Sequence, residues 1–61
     1  MSNKETEVLG LIAKGLTTKE IAAKLFVSSR TIETHRANIL KKLEVKNSAE
    51  LIKKATKMNL I

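Results

Sequence analysis

Three times in 61 residues a helix-capping residue stands three positions ahead of a glutamate: Ser2 before Glu5, Thr17 before Glu20 and Asn47 before Glu50. In such a pair the first side chain takes an orphan backbone N–H of the opening turn, while the glutamate reaches back to the cap. Ser28, ahead of a long periodic stretch, is a fourth good N-cap. Four starts at these positions leave room only for short helices with brief connections. Proline is absent and glycine occurs twice, with Gly15 placed as the left-handed stop of the first helix. The pattern predicts one all-α domain over residues 1–61, with helices over about 3–14, 18–25, 29–43 and 48–58 around a tri-helical core.

The third helix carries the sharpest asymmetry. At about 100° per residue, Ile32, Ile39 and Leu43 fall on one line, with Leu40 beside it and Arg36 at its margin. The opposite face collects Arg30, Thr34, Ala37 and Lys41, flanked by Glu33 and Asn38. A polar, basic face cleared of bulk at Ala37 fits a major groove, which admits an α-helix. It equally fits a solvated surface. The first helix presents Val8 with Ile12, then Leu9 with Ala13 and Leu16, and Leu11 widens the arc as enclosure by neighbours requires. The second turns Ile21, Ala22 and Leu25 inward and Lys19, Ala23 and Lys24 outward, with small Ala22 and Ala23 permitting close approach of another helix. Between them and the third helix, apolar Phe26 and Val27 are expected to tuck beneath the turn. A short helix, a three-residue turn and a long helix with a polar face have the layout of a helix-turn-helix.

Val45 is expected to plug the core after the third helix. The fourth carries Leu51, Ile52, Ala55 and Met58, more apolar surface than one contact needs, and is expected to fray through Asn59, Leu60 and Ile61. The surplus points to a second, partner-facing side.

Charge is unevenly placed. Through Ser29 four lysines meet three glutamates, a net of +1; from Arg30 eight cations meet three glutamates, a net of +5. A basic half is the footprint of a polyanion binder, and also of a lysine-rich soluble surface. The chain has no Cys, no Asp and one His, which offers no disulfide, metal cluster or paired acid–base site. A non-enzymatic chain without cofactor or small-molecule ligand is expected. A receiver-type phosphoacceptor aspartate cannot lie in it. No apolar run reaches transmembrane length and no signal peptide opens the chain, so a soluble, cytoplasmic protein without membrane contact is expected. With Phe26 the single aromatic, the core must be aliphatic, which suits a small helical bundle.

These residues carry a resemblance. Lys4 to Leu9, Leu11 to Gly15, Lys19 to Ala22, Leu25, Ser28, Arg30 to Ile39 and Lys42-Leu43 resemble the DNA-binding domain shared by LuxR-type regulators and NarL/FixJ response regulators. The stretch Arg30 to Ile39 is most similar to the FixJ branch. Met1 stands where a Leu is usual and Asn59 where a Gly is common. The resemblance implies a third helix that reads DNA and a fourth that pairs two copies. It implies base-facing roles for Arg30, Glu33, Thr34, Ala37 and Lys41. Glu33 would have to accept from a cytosine amino group, or else is a surface glutamate near Arg36.

Phosphate contacts would come from Thr17, Thr18, Lys19, Ser28, Thr31, His35, Asn38 and Lys42. His35 could instead be a half-buried histidine bonded to backbone. Leu51, Ile52 and Ala55 would serve dimerisation. The implied function is sequence-specific binding of double-stranded DNA, as the output domain of a bacterial transcription regulator and as a homodimer on DNA. The competing expectation is a module that docks an acidic protein such as RNA polymerase.

Overall fold

Each helix begins at its cap. In the computed structural model, which describes residues 2–61, the chain forms α1 (Asn3–Ala13), α2 (Thr18–Leu25), α3 (Ser29–Lys42) and α4 (Ser48–Lys57), and no strand among the described residues. The departure at Met1 lies outside them. Ser2 Oγ accepts from Glu5 N at 3.2 Å and Glu5 Oε1 accepts from Ser2 N at 3.0 Å. Thr17 and Glu20 repeat the exchange at 3.2 and 2.8 Å. The third pair is only half of a box. Asn47 Oδ1 accepts from Glu50 N at 2.9 Å, but the Glu50 carboxylate takes the N–H of Lys46, at 3.3 Å. Asn47 has φ −150° where Ser2, Thr17 and Ser28 lie at −74°, −77° and −76°, which swings its own N–H away from Glu50.

The four helices end alike. Gly15, Phe26, Glu44 and Asn59 all have positive φ, and the next residue's N–H returns to a carbonyl five positions back. These bonds are Leu16 N to Leu11 O, Val27 N to Ala22 O, Val45 N to Leu40 O and Leu60 N to Ala55 O, at 2.8–3.3 Å. This arrangement satisfies carbonyls that a helix end leaves orphaned. The residue after each left-handed position is apolar, and Leu16, Val45 and Leu60 pack against the core. The C-terminal segment therefore does not fray as expected: Leu60 is held at 2.8 Å and half-buried. Asn59 suits its place because asparagine tolerates the left-handed region better than most residues. The helices stop one residue short of the expected ends at Lys14, Leu43 and Met58, which are caps.

α1 is the hub. It packs closely against α2, α3 and α4, and α2 packs against α3. From it Val8, Leu9, Leu11 and Ile12 enter a core completed by Ile21, Ala22, Ile32, Ile39, Leu43, Leu51 and Ala55. Burying each large aliphatic side chain is worth roughly 1.5–3 kcal/mol. Leu11 is 6% exposed, as its enclosure required. Ala22 is buried in the core, while Ala23 is exposed. Val45 reaches the core edge as expected.

Phe26 corrects the expectation for the turn. It is 95% exposed and Val27 36% exposed, so neither is tucked beneath. Phe26 takes the left-handed position that ends α2, at φ 58°, and its ring stays in solvent.

Candidate nucleic-acid interface

Burying Ile32 and Ile39 on one side of α3 turns the opposite side outward. Arg30, Glu33, Thr34, Ala37 and Lys41 are all exposed, with Asn38 and Thr31 beside them. Among the described residues the two salt bridges are Lys4–Glu7 and Lys42–Glu5. Arg30, Lys41 and Lys19 therefore keep their charge available to an outside anion. Glu33 makes no ion pair with Arg36, whose guanidinium donates instead to the Ser48 hydroxyl. Thr34 donates its hydroxyl to the Arg30 carbonyl at 3.1 Å. That bond occupies its proton on the helix backbone, so the side chain offers its methyl beside the Ala37 methyl.

The phosphate candidates divide. Ser28 Oγ accepts from Thr31 N at 3.2 Å and lies 2.9 Å from Thr31 Oγ1, so these two hydroxyls cap α3. Thr17 Oγ1 caps α2. Thr18 is half-buried at a cavity of about 190 Å³ that also involves Ile12, Ile21, Ile32, Arg36, Ser48 and Ile52. Lys19 is exposed and His35 half-buried.

Lys42 is committed internally as well. Its ammonium lies 2.7 Å from Glu5 Oε1, and the Glu5 side chain is only 6% exposed. The Lys42 hydrogen bond, with the Ser2 N–H second, pulls the Glu5 carboxyl from 4.5 down to about 2, against the upward push of burial. This pair joins the start of α1 to the end of α3. Glu20 is also lowered, by the Thr17 N–H and then its side chain.

The expected dimerisation set needs correction. Leu51 and Ala55 are 0% exposed and belong to the core. α1 covers the stripe they form, so neither offers surface to a partner. Ile52 retains some surface at the edge of the 190 Å³ cavity. The exposed residues of α4 are Ala49, Glu50, Lys53, Thr56 and Lys57. Lys54 folds inward and donates to the Leu43 carbonyl at 2.6 Å, capping α3 from α4. Sequence reasoning missed the Glu5–Lys42, Arg36–Ser48 and Lys54–Leu43 contacts, because partners 11 to 37 residues apart leave no periodic signal.

Residues 1–55 match the family model described as bacterial regulatory proteins, luxR family. The chain belongs to this family. It is 53% identical over 60 residues to the uncharacterized response regulatory protein YgeK of Escherichia coli K12, covering 98% of this chain and 41% of that protein. It is 49% identical over 61 residues to the oxygen regulatory protein NreC of Staphylococcus carnosus TM300, covering all of this chain and 28% of NreC. The structure of the response regulator ChrA, from a heme-sensing two-component system, superposes with a TM-score of 0.94 at 40% identity. That match covers 98% of this chain and 30% of ChrA. The chain thus spans less than half the length of these relatives. This LuxR-type helix-turn-helix domain is of the DNA-binding, transcription-regulating kind found in response regulators. No helix among the described residues is long and apolar enough to cross a membrane.

Proposed function

We propose that this domain binds duplex DNA sequence-specifically with α3 in the major groove, as the cytoplasmic output portion of a response regulator on the FixJ branch. The observation that carries the reading is the outward face of α3, where Arg30 and Lys41 are exposed and unpaired around a small patch made by Thr34 and Ala37. Methyl groups at such positions meet thymine C5-methyls, and the free Glu33 carboxylate can accept from a cytosine amino group. Lys19, His35 and Asn38 serve phosphates, with Thr17, Thr18, Ser28 and Thr31 as further hydroxyl candidates, while Lys42 stays held by Glu5.

α4 pairs two such domains on DNA. Its exposed side of Ala49, Glu50, Lys53, Thr56 and Lys57, with part of Ile52, is poor in apolar surface and far from the roughly 800 Å² per partner of a stable interface. Pairing in free solution is accordingly weak, and two adjacent half-sites supply the effective concentration that completes it. The operator is then an inverted pair of half-sites, as a two-fold protein pair demands.

The deciding experiment is selection from a randomised duplex pool by this chain, followed by sequencing. A defined half-site should emerge, and Glu33→Ala, Thr34→Ala and Ala37→Ser should each change it, a good base contact being worth about 1–3 kcal/mol. An identical consensus from all three variants would remove α3 from the groove.

One observation favours a second reading, docking to an acidic protein such as RNA polymerase. Phe26 is 95% exposed between the cations Lys24 and Arg30, with no carboxylate from Ile21 to Thr31.

A further inference from the structure

α3 packs closely on α1 and α2, and α4 on α1; α3 and α4 are not a closely packed pair. Polar bonds tie these two helices to each other. The Arg36 guanidinium donates to the Ser48 hydroxyl at the start of α4, and the Lys54 ammonium donates to the Leu43 carbonyl at the end of α3, at 2.6 Å. Arg36, Ser48 and Lys54 are all half-buried, so these charge-assisted bonds are less exposed to water than surface pairs. The tie points lie seven residues apart on α3 and six on α4. At 1.5 Å per residue that is about 10 Å and 9 Å of helix. A single tie would leave a pivot. Two ties this far apart hold both the distance and the angle between the helices. Close packing does not do that job beside the first tie, where the 190 Å³ cavity borders Arg36, Ser48 and Ile52.

We infer that the Arg36–Ser48 and Lys54–Leu43 bonds are positioning contacts that set the angle between α4 and α3, and thereby the half-site spacing a pair of chains accepts. The inference rests on the pairing role proposed above for α4. In a two-fold pair the two α3 helices are related through the two α4 helices, so any change at the α3–α4 junction acts once on each side of the axis. The α3 helices must meet successive major grooves, about 34 Å apart or a multiple of it, and a loosened junction would tolerate several spacings.

The test compares wild type, Ser48→Ala, Ser48→Thr and Lys54→Met on one half-site and on inverted pairs. The half-site is the one the wild-type chain selects, and the spacer between the pair is varied by one and two base pairs. Wild type should favour one spacing by about tenfold, a modest part of what effective concentration can supply. Ser48→Ala and Lys54→Met should keep single-site affinity while most of that preference disappears. Ser48→Thr, which keeps the hydroxyl, should retain it.

A wild-type preference in both Ser48→Ala and Lys54→Met overturns the positioning role and leaves pairing through α4 standing. Absence of any preference in the wild-type chain overturns pairing, and the positioning role with it. If Lys54→Met loses single-site binding through instability, the two Ser48 variants decide. Loss of single-site binding in Ser48→Ala as well would overturn the inference, since the ties would then serve the fold alone.

Discussion

Phe26 holds the chain's single aromatic ring almost wholly in water, at a φ of 58° that glycine adopts more readily. The left-handed conformation costs an L-residue about 1–2 kcal/mol. Glycine would add roughly 0.5–1 kcal/mol of backbone entropy to lose on folding. With almost no burial to forfeit, Phe26→Gly should stabilise the domain by about 0.5–1 kcal/mol and raise its melting temperature by a few degrees. An unchanged or lower melting temperature would mean the ring packs on the fold. At the same scale Lys41 and Lys42 are adjacent but unequal. Lys41 is exposed with no salt bridge among the described residues, whereas Lys42 is bound to Glu5. Lys41→Met should leave thermal stability alone and reduce the slope of log binding constant against log salt by about 0.9, one phosphate's worth. Lys42→Met should lower the melting temperature, because it leaves the buried Glu5 carboxylate without its cation. Equal melting temperatures for the two variants would contradict this division.

At the scale of elements, Glu5 ties the opening of α1 to the closing turn of α3. Its carboxyl is depressed from 4.5 to about 2, so the stability it contributes is complete above pH 4.5 and is lost as pH falls through about 2. Acid denaturation followed by helical signal should show this loss, and Glu5→Gln should flatten it. A wild-type acid profile in Glu5→Gln would remove the pair from the fold's pH dependence. Glu20, depressed by its own cap, supplies part of the slope that remains. α4 divides its work by face: Leu51 and Ala55 hold it to the core, and Ala49, Glu50, Lys53, Thr56 and Lys57 are exposed. Thr56→Lys should therefore leave the fold and single half-site binding intact. It should abolish cooperative occupancy of paired sites, since two copies would bring six lysines together from positions 53, 56 and 57. Cooperativity that survives this change would put the pairing surface elsewhere. Ile52→Glu is a poorer probe, because Ile52 is half-buried at the pocket beside Arg36.

At the scale of the whole molecule, extents of 29 × 19 × 19 Å leave almost no interior beyond one layer of aliphatic side chains. Such a domain cannot build a deep pocket. What it can offer is a surface, and the charge distribution supports one: a net of +5 from Arg30 onward. Two of those eight cations are nevertheless drawn into intramolecular hydrogen bonds with other elements through Arg36 and Lys54, and Lys42 into the Glu5 pair. The charge left for an outside polyanion is thus less than the count implies: Arg30, Lys41, Lys46, Lys53 and Lys57 remain exposed without a salt bridge among the described residues.

Local chemistry made most of the fold legible in the sequence. Caps, the Gly15 stop and 3.6-residue periodicity act within one or two turns, so the four helices and the buried lines of Val8, Ile12, Ile32 and Ile39 could be read from neighbouring residues, while the left-handed stops at Phe26, Glu44 and Asn59 could not. The outward face of α3 followed, being the complement of its buried face. Partnership across the chain was not legible in this way. Leu51 and Ala55 looked like surplus apolar surface until α4 packed on α1, and Phe26 looked buried, whereas the left-handed end of α2 leaves its ring in solvent. Lys42 looked like a cation for an outside anion, and Arg36 and Lys54 counted only toward the basic half, until folding delivered Glu5, Ser48 and the Leu43 carbonyl to them. The sequence by itself determined where helices start, stop and turn their apolar sides, because those forces act between near neighbours. Tertiary structure alone decided which apolar and charged side chains remain free for a partner, because that depends on residues brought together from distant parts of the chain.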